Sequence, residues 1–400
     1  DAPRSTWPNE SNVPHPKRGD ESRVESFCKT PTQSGEDSTE PSPSDREVID
    51  FVRAMCAQKS NGPELLCELV EVLKAETSAL GWTSSAALGL VKECISKARL
   101  QVTEALPRSE SALNLLLGRA QGLLGDLHRE RGELSEALAS YQEAGASIRT
   151  FINNNHHCVG NVLYELSVYL NRLGDMRRDQ GDDLGALLEY QEALNLRRRE
   201  VANARPPTRS EFSDALEYSI LSASAWEYSV SRTLRRIGGI YQNRREFDQA
   251  LLVYEESLRI SRALVSRVPY RLDLVHDLVT DLLKTGHVHL ARRDLGRARD
   301  LIQEGLTAAR RALDRGGQYR ESSRYDLAVA LISWAHLEGL HGHSIGALSA
   351  WQEASAELDI LTQQDPSNSC WARAHALCQD ALSKVGVSPC LTSETKPTQH

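Results

Sequence analysis

A nine-residue fragment recurs along the chain, and this repetition constrains the fold more than any other feature. The fragment reads EALASYQEA at residues 136–144. Its first alanine recurs in four further copies, an aromatic residue follows that alanine by four positions in most copies, and a small residue precedes it by twelve. The alanines are Ala137, Ala186, Ala250, Ala298 and Ala347, and the small residues are Gly125, Gly174, Gly238, Gly286 and Ala335. A short unit of this kind cannot bury its apolar face alone, so the repetition predicts stacked helical units.

The pattern resembles the tetratricopeptide repeat family, which places a Leu-Gly pair, an aromatic residue, an alanine and a later aromatic residue at fixed offsets within 34 residues. On this register the repeat cores are residues 118–151, 167–200, 231–264, 279–312 and 328–361. The resemblance implies an all-α fold, a right-handed α-solenoid of antiparallel helix pairs preceded by a small helical segment. It also implies that the small residues lie where the two helices of a pair cross with their backbones almost touching, and that the aromatic residue fills the gap toward the next repeat.

The intervals between the alanines are longer than in the family. They measure 49, 64, 48 and 49 residues, so the surplus belongs to the repeating unit. We expect helices of about 20 residues, as in the elongated bacterial repeats of about 49 residues that the sequence resembles. The longest interval includes residues 201–230, which form either an extra helix or a lengthened one.

Composition divides the rest of the chain. Residues 1–45 are rich in Ser, Pro, Thr and acidic residues, and such a segment is predicted to be a disordered tail or linker. Residues 46–110 show helical periodicity, residues 111–386 hold the solenoid with its C-terminal capping helix, and residues 387–400 are expected to form a flexible tail. Alternating patterns typical of strands are absent.

Net charge, cysteine spacing and the absence of known catalytic motifs restrict the possible functions. A net charge of −8 disfavours general binding to nucleic acid or to anionic membranes. The eight cysteines contain no Cys-x-x-Cys pair, which favours a reducing compartment, the cytoplasm. The chain lacks a phosphate-binding loop, His-Glu-x-x-His and Gly-x-Ser-x-Gly, so we predict neither an enzyme, nor catalytic residues, nor a cofactor. Histidine groups such as His336, His341 and His343 lack the i,i+3 or i,i+4 spacing of helical metal ligands, so no metal site is predicted.

Polar residues of the second and third repeats are the candidate partner-binding site. In the resembled family the first helix of each pair lines a concave groove, and residues at the matching positions are expected to face a protein or peptide with an acidic segment. These residues are Asn171, Arg172, Arg178, Arg232, Arg235, Arg236, Gln242 and Asn243. Arg232 and Arg236 match two of the five positions with which co-chaperones of the family clamp a terminal carboxylate, whereas Gly122, Asp126 and Arg172 depart from that pattern.

Two alternatives stay open for these groove residues. The arginines could instead form internal ion pairs with Asp175, Asp179 or Glu246. The fourth and fifth repeats offer an apolar half of the groove, unless the long helices bury these side chains internally. Its residues are Leu283, Leu290, Val329, Ile332 and Leu340. The run Arg197–Arg199 lies near the end of a second helix, where cations complement the helix dipole.

The sequence therefore predicts a non-enzymatic scaffold that binds a protein or peptide partner in the groove of the solenoid. The alternative is a regulatory module, the substrate, inhibitor or sensor subunit of a bacterial signalling or defence system, controlled by proteolysis of residues 1–45 or by a partner protease. A DNA-binding role for residues 46–105 ranks last, because that segment has few basic residues on any one helix.

Overall fold

The computed structural model of the protein describes residues 85–104, 107–155, 160–203, 214–316 and 320–386. Within these ranges the regular structure consists of twelve α-helices and no strand. The helices are α1 (Ser85–Glu104), α2 (Pro107–Glu130), α3 (Leu134–Asn154), α4 (Gly160–Asp179), α5 (Asp183–Asn203), α6 (Asp214–Asn243), α7 (Phe247–Arg267), α8 (Leu272–Ala291), α9 (Leu295–Arg315), α10 (Arg320–Leu340), α11 (Ser344–Gln364) and α12 (Ser369–Gly386). The predicted all-α class is confirmed.

Helices pack in sequence order as antiparallel pairs. The pairs α2–α3, α4–α5, α8–α9 and α10–α11 are joined by short turns and make extensive contacts. The second helices α3, α5, α7, α9 and α11 each contain 21 residues, which confirms the expected length. The long interval between the second and third repeats is explained by α6, which is a lengthened helix of 30 residues, although residues 204–213 lie outside the described part of the chain.

The chain forms two compact units and passes from one to the other between Ile240 and Tyr241, inside α6. In the described residues, the first unit covers 85–240 and the second covers 241–386. The predicted limits of the solenoid, 111–386, stay a prediction. The predicted tails 1–45 and 387–400, and most of the helical segment 46–110, lie outside the described residues.

In three of the first helices, α2, α4 and α8, the glycine makes room for a side chain of its own pair. A methyl group added at Gly125 would lie 2.6 Å from the Tyr141 ring, and one at Gly174 would lie 2.4 Å from the Tyr190 ring. Both tyrosines are fully buried. Each ring therefore packs on the glycine of its own pair, which the expectation of almost touching backbones did not include. The expected contact with the next repeat is present as well, because Tyr141 also packs with Leu173 and Met176 of α4. The ring packs on the glycine because only glycine leaves the helix surface flat enough to receive it.

The turn between the helices of a pair repeats the same backbone conformation. Gly132, Gly181 and Gly342 have φ angles of 77°, 83° and 78°, in the left-handed region that favours glycine. Arg245 and Arg293 occupy the same turn in two other pairs, at φ angles of 60° and 65°. The glycine five positions before the repeated alanine therefore ends the first helix.

Ion pairs also repeat between successive second helices. Arg149 binds Glu192, Arg262 binds Glu304, and Arg310 binds Glu353. The partners are 42 to 43 residues apart in sequence and about half exposed. Pairs this exposed stabilise a protein by at most about 1 kcal/mol each, so they set the register of neighbouring helices more than they stabilise them.

Candidate partner-binding face

The first helices of the first unit, α2, α4 and α6, lie side by side and are joined by charged side chains. The Arg119 guanidinium donates two hydrogen bonds to Glu165, and Arg172 of α4 lies 2.7 Å from Asp126 of α2. Because these helices carry the predicted groove positions, their shared surface is the candidate partner-binding face.

A Tyr–Asp–Arg arrangement repeats on this face. The Asp126 carboxylate accepts hydrogen bonds from the Tyr141 hydroxyl at 2.6 Å and from Arg172. One repeat later, Asp175 accepts from the Tyr190 hydroxyl at 2.6 Å and from Arg236 of the next first helix at 2.9 Å. Each aspartate therefore ties its own second helix to the following pair.

Burial and charge act in opposite directions on these groups. Burial opposes the ionisation of Asp175, but the Arg236 guanidinium outweighs it and holds the pKa of that carboxyl below its ordinary value. Burial likewise disfavours the charged form of Arg172, yet Asp126 raises the pKa of the guanidinium. In Asp175 and Arg172 the opposite charge of the partner thus favours the ionised form that burial disfavours.

Three of the predicted partner-binding arginines are thus engaged within the unit. Arg172 and Arg236 form the pairs described above. Arg178 is the third, and it lies 3.5 Å from Asp179 and 3.9 Å from Asp175. The structure contains the internal pairing to Asp175 and Asp179 that the sequence left open. Glu246, the third acid considered, binds Arg244 instead.

Arg232 differs from these three residues. Its guanidinium lies 5.6 Å from the centre of the Tyr228 ring, one helical turn earlier, and the side chain is half-buried. The described part of the chain provides no carboxylate or hydrogen-bond acceptor for it. Within the described residues, the contact that holds the Arg232 guanidinium is therefore the Tyr228 ring.

Arg197 of α5 is a buried residue of this site that sequence reasoning missed. It is 4% exposed, and its guanidinium donates to the Ser167 hydroxyl at 2.9 Å, to the Ser229 carbonyl at 2.8 Å and to the Thr233 hydroxyl. The Asn171 amide, turned so that its oxygen faces the guanidinium, accepts as well. The interpretation of Arg197 as a dipole-complementing cation was wrong, because the side chain turns inward between α4 and α6.

All the described acceptors of Arg197 are neutral. Burial lowers its pKa to about 9, with Arg236 and Arg232 adding repulsion, so it still carries its charge near neutral pH. Its neighbour Tyr164 is 37% exposed and packs edge-on against Trp226 at 5.3 Å. Positive charge and aromatic surface thus meet at the junction of α4, α5 and α6.

The four remaining residues predicted to bind a partner are either buried or belong to the second unit. Asn171 and Arg235 are buried, so Asn171 supports Arg197 rather than facing solvent. Gln242 and Asn243 belong to the second unit, where Gln242 accepts a hydrogen bond from the Tyr254 hydroxyl at 3.0 Å and Asn243 is exposed.

The apolar residues predicted for the fourth and fifth repeats are mostly internal. Leu283 and Ile332 are buried, Leu290 and Val329 are half-buried, and Leu340 is about half exposed. The long helices therefore bury much of this set inside the second unit, as the alternative predicted.

Two properties of the described residues bear on other functions. No group of three or more His, Cys, Asp or Glu side chains converges there in a way that could hold a metal ion. None of the helices described is both long enough and apolar enough to cross a membrane.

Solved structures share this architecture. The assembly chaperone of RpL4, Acl4 (residues 1–338), aligns with 81% of this chain and 98% of its own at 15% identity, with a TM-score of 0.50. BtubC (BKLC) from P. vanneervenii aligns with 78% of this chain and 96% of its own at 17% identity, with a TM-score of 0.42. The apo form of RapI aligns with 85% of this chain and 99% of its own at 12% identity, with a TM-score of 0.40.

No protein-family model matches the sequence, and no curated protein matches it. The assignment therefore rests on the fold: paired antiparallel helices in sequence order, a glycine packed under an aromatic ring in successive pairs, and the likeness to Acl4. This chain has the fold of a tetratricopeptide-type helical repeat protein.

Proposed function

We propose that this chain is a non-enzymatic protein–protein interaction scaffold, and that it binds an acidic segment of a protein or peptide partner on the face formed by α2, α4 and α6. Its repeated helices supply a wide surface, and wide solenoid surfaces suit binding to a partner. The reducing environment expected for its cysteines agrees with a cytoplasmic scaffold. The buried Cys378, whose pKa burial raises to about 12, would be an inert apolar thiol there.

Arg232, which has no carboxylate partner among the described residues, is the observation that carries the proposal. Arg172, Arg178 and Arg236 already hold carboxylates of this chain, so an acidic partner would have to displace those to bind them. Arg232 holds none among the described residues, and a guanidinium can accept a carboxylate through two parallel hydrogen bonds.

The surroundings of Arg232 strengthen its preference for an anion. Arg197 and Arg236 are close enough to interact with each other electrostatically, and Arg232 acts on Arg197 in the same way. Among the described residues, the Asp175 carboxylate binds this cluster through Arg236. A partner carboxylate would therefore relieve repulsion as well as form hydrogen bonds.

Aromatic surface next to this cluster would contact the rest of the partner. Tyr164 and Trp226 present partly exposed rings, and the Tyr228 ring lies against the Arg232 guanidinium. Such rings give large contact areas at low entropic cost. We expect a preferred ligand to combine an acidic side chain with a neighbouring apolar one.

An array of random peptides tests this specificity without a known partner. The intact chain should enrich peptides that contain Asp or Glu beside an apolar residue. Arg232→Ala should weaken binding of the enriched peptides by about 10- to 100-fold, because hydrogen bonds to charged groups contribute about 1.5–3 kcal/mol.

Arg310→Ala is the matched control, because it removes an exposed arginine that already binds Glu353. Its peptide profile should equal that of the wild type. If Arg232→Ala keeps the acidic preference, or if the wild type enriches basic peptides, the proposed site is wrong. The regulatory alternative depends on residues 1–45, outside the described chain, and stays a prediction from the sequence.

A further inference from the structure

Two histidines flank the turn that follows α10. His341 and His343 lie on either side of Gly342, whose left-handed backbone reverses the chain direction. Their rings stack with centroids 5.7 Å apart and planes 15° from parallel, and both residues are exposed. A spacing of two residues separates side chains on a helix, but on this turn it brings them to the same side.

Hydrogen bonds fix which nitrogen of each ring is available. His341 Nδ1 lies 3.0 Å from the Leu337 carbonyl oxygen, and a carbonyl oxygen only accepts, so Nδ1 carries the proton. His343 Nδ1 lies 3.1 Å from a Glu338 carboxylate oxygen, and the same argument applies. In the neutral form of both rings, the lone pair is therefore on Nε2.

Glu338 is held in place on its other side. It is a buried residue, and its second oxygen accepts a hydrogen bond from Arg299 at 2.9 Å. The absence of a side chain at Gly346 leaves space for the carboxylate, since a methyl group there would lie 2.6 Å from it. A buried carboxylate that orients a histidine through Nδ1 is the arrangement that supports metal-binding imidazoles.

We propose that the Nε2 atoms of His341 and His343 bind one divalent transition-metal ion of the zinc class, with water completing its coordination. Imidazole nitrogen is a preferred ligand of Zn²⁺, Ni²⁺ and Cu²⁺, and a poor ligand of Mg²⁺ or Ca²⁺. Zn–N bonds are about 2.0–2.1 Å long, so the two rings, which are 5.7 Å apart, would move closer together to bind one ion. With two protein ligands the site is open, and it binds more weakly than a closed structural site.

Equilibrium dialysis of the full chain against Zn²⁺ tests the proposal. The His341→Ala and His343→Ala variants should each retain one equivalent of Zn²⁺ less than the wild type. A His156→Ala/His157→Ala variant, which removes two directly adjacent histidines elsewhere in the sequence, should lose nothing at this site. An excess of Mg²⁺ should leave the difference unchanged.

The role of Glu338 gives a second readout. Glu338→Gln removes the negative charge behind His343, so the affinity for Zn²⁺ should fall by about 10- to 100-fold while saturating Zn²⁺ restores the full stoichiometry. Circular dichroism of each variant checks that its helices are intact. Equal Zn²⁺ binding by the wild type and the two alanine variants would overturn the proposal, and so would a wild type that binds no Zn²⁺.

Discussion

Replacing Gly174 by alanine is expected to lower the stability of the first unit by about 1–3 kcal/mol, the usual effect of overpacking a core. The added methyl group would lie 2.4–2.8 Å from three atoms of the Tyr190 ring. That ring cannot move away easily, because it is fully buried and its hydroxyl is bound to Asp175. The expected loss is larger than the helix propensity of up to about 1 kcal/mol that alanine adds.

Gly145→Ala in α3 is the matched control. Its methyl group would meet Arg149 at 3.5 Å and Leu166 at 4.0 Å, which are ordinary contacts, so this variant should gain stability from helix propensity. Denaturant unfolding of both variants would measure the shifts in midpoint. Opposite shifts would confirm that the tyrosine packs on the glycine, whereas equal shifts of the same sign would contradict it.

The regular parts of the fold were predictable because they follow from local patterns. The spacing of Gly174 and Tyr190 recurs with Gly125 and Tyr141, so the helix pairs that carry it could be predicted from the sequence. The left-handed turn also leaves a sequence signal in three of the five repeats, where a glycine stands five positions before the repeated alanine. The pattern does not predict that the tyrosine ring packs on the glycine of its own pair, because this contact depends on how the two helices pack.

The charge network of the candidate site was less predictable. Arg172 and Asp126 are 46 residues apart in sequence, and Arg236 and Asp175 are 61 residues apart. Such pairs follow from the stacking of neighbouring repeats and leave no local signal. Their regularity could have been noticed, because both arginines lie two positions before the glycine of their repeat.

Arg197 shows a different limit. Its position in a run of three arginines resembles a solvated helix end, and nothing nearby in the sequence marks it as buried. Its acceptors come from α4 and α6, through Ser167, Ser229 and Thr233. Because these acceptors are neutral, no charge pattern in the sequence indicates the contact. The burial of the Arg197 guanidinium is therefore seen only in the packed structure.

The same register places a buried lysine in the second unit. Lys284 lies two positions before Gly286, where Arg172 and Arg236 lie in their repeats. It is buried in α8, with its ammonium group 5.7 Å from the centre of the Tyr254 ring. Burial lowers the pKa of Lys284 from an ordinary 10.5 to about 7, because the charged form loses its hydration there.

This shift makes the stability of the second unit depend on pH. Between about pH 7 and pH 10.5 the unfolded chain keeps the Lys284 proton and the folded chain releases it. The unfolded state binds more protons in that interval, so stability increases as the pH rises, by up to about 1.4 kcal/mol per pH unit. Below pH 7 both states are protonated, and the cost of burying the charge is fully present. The neighbouring His287, whose pKa burial lowers to about 3, stays neutral throughout the interval.

Lys284→Met should therefore remove this pH dependence and stabilise the unit most at or below pH 7, since methionine fills the space without a charge. Urea unfolding of the wild type and the variant at several values between pH 6 and pH 10 would give the difference in stability at each pH. Lys384→Met is the control, because that lysine is exposed and bound to Asp380, and it should leave the profile unchanged. A difference in stability between Lys284→Met and the wild type that stays constant from pH 7 to pH 10 would contradict this prediction. It would show that Lys284 stays charged in the folded protein because other groups stabilise its buried ammonium group.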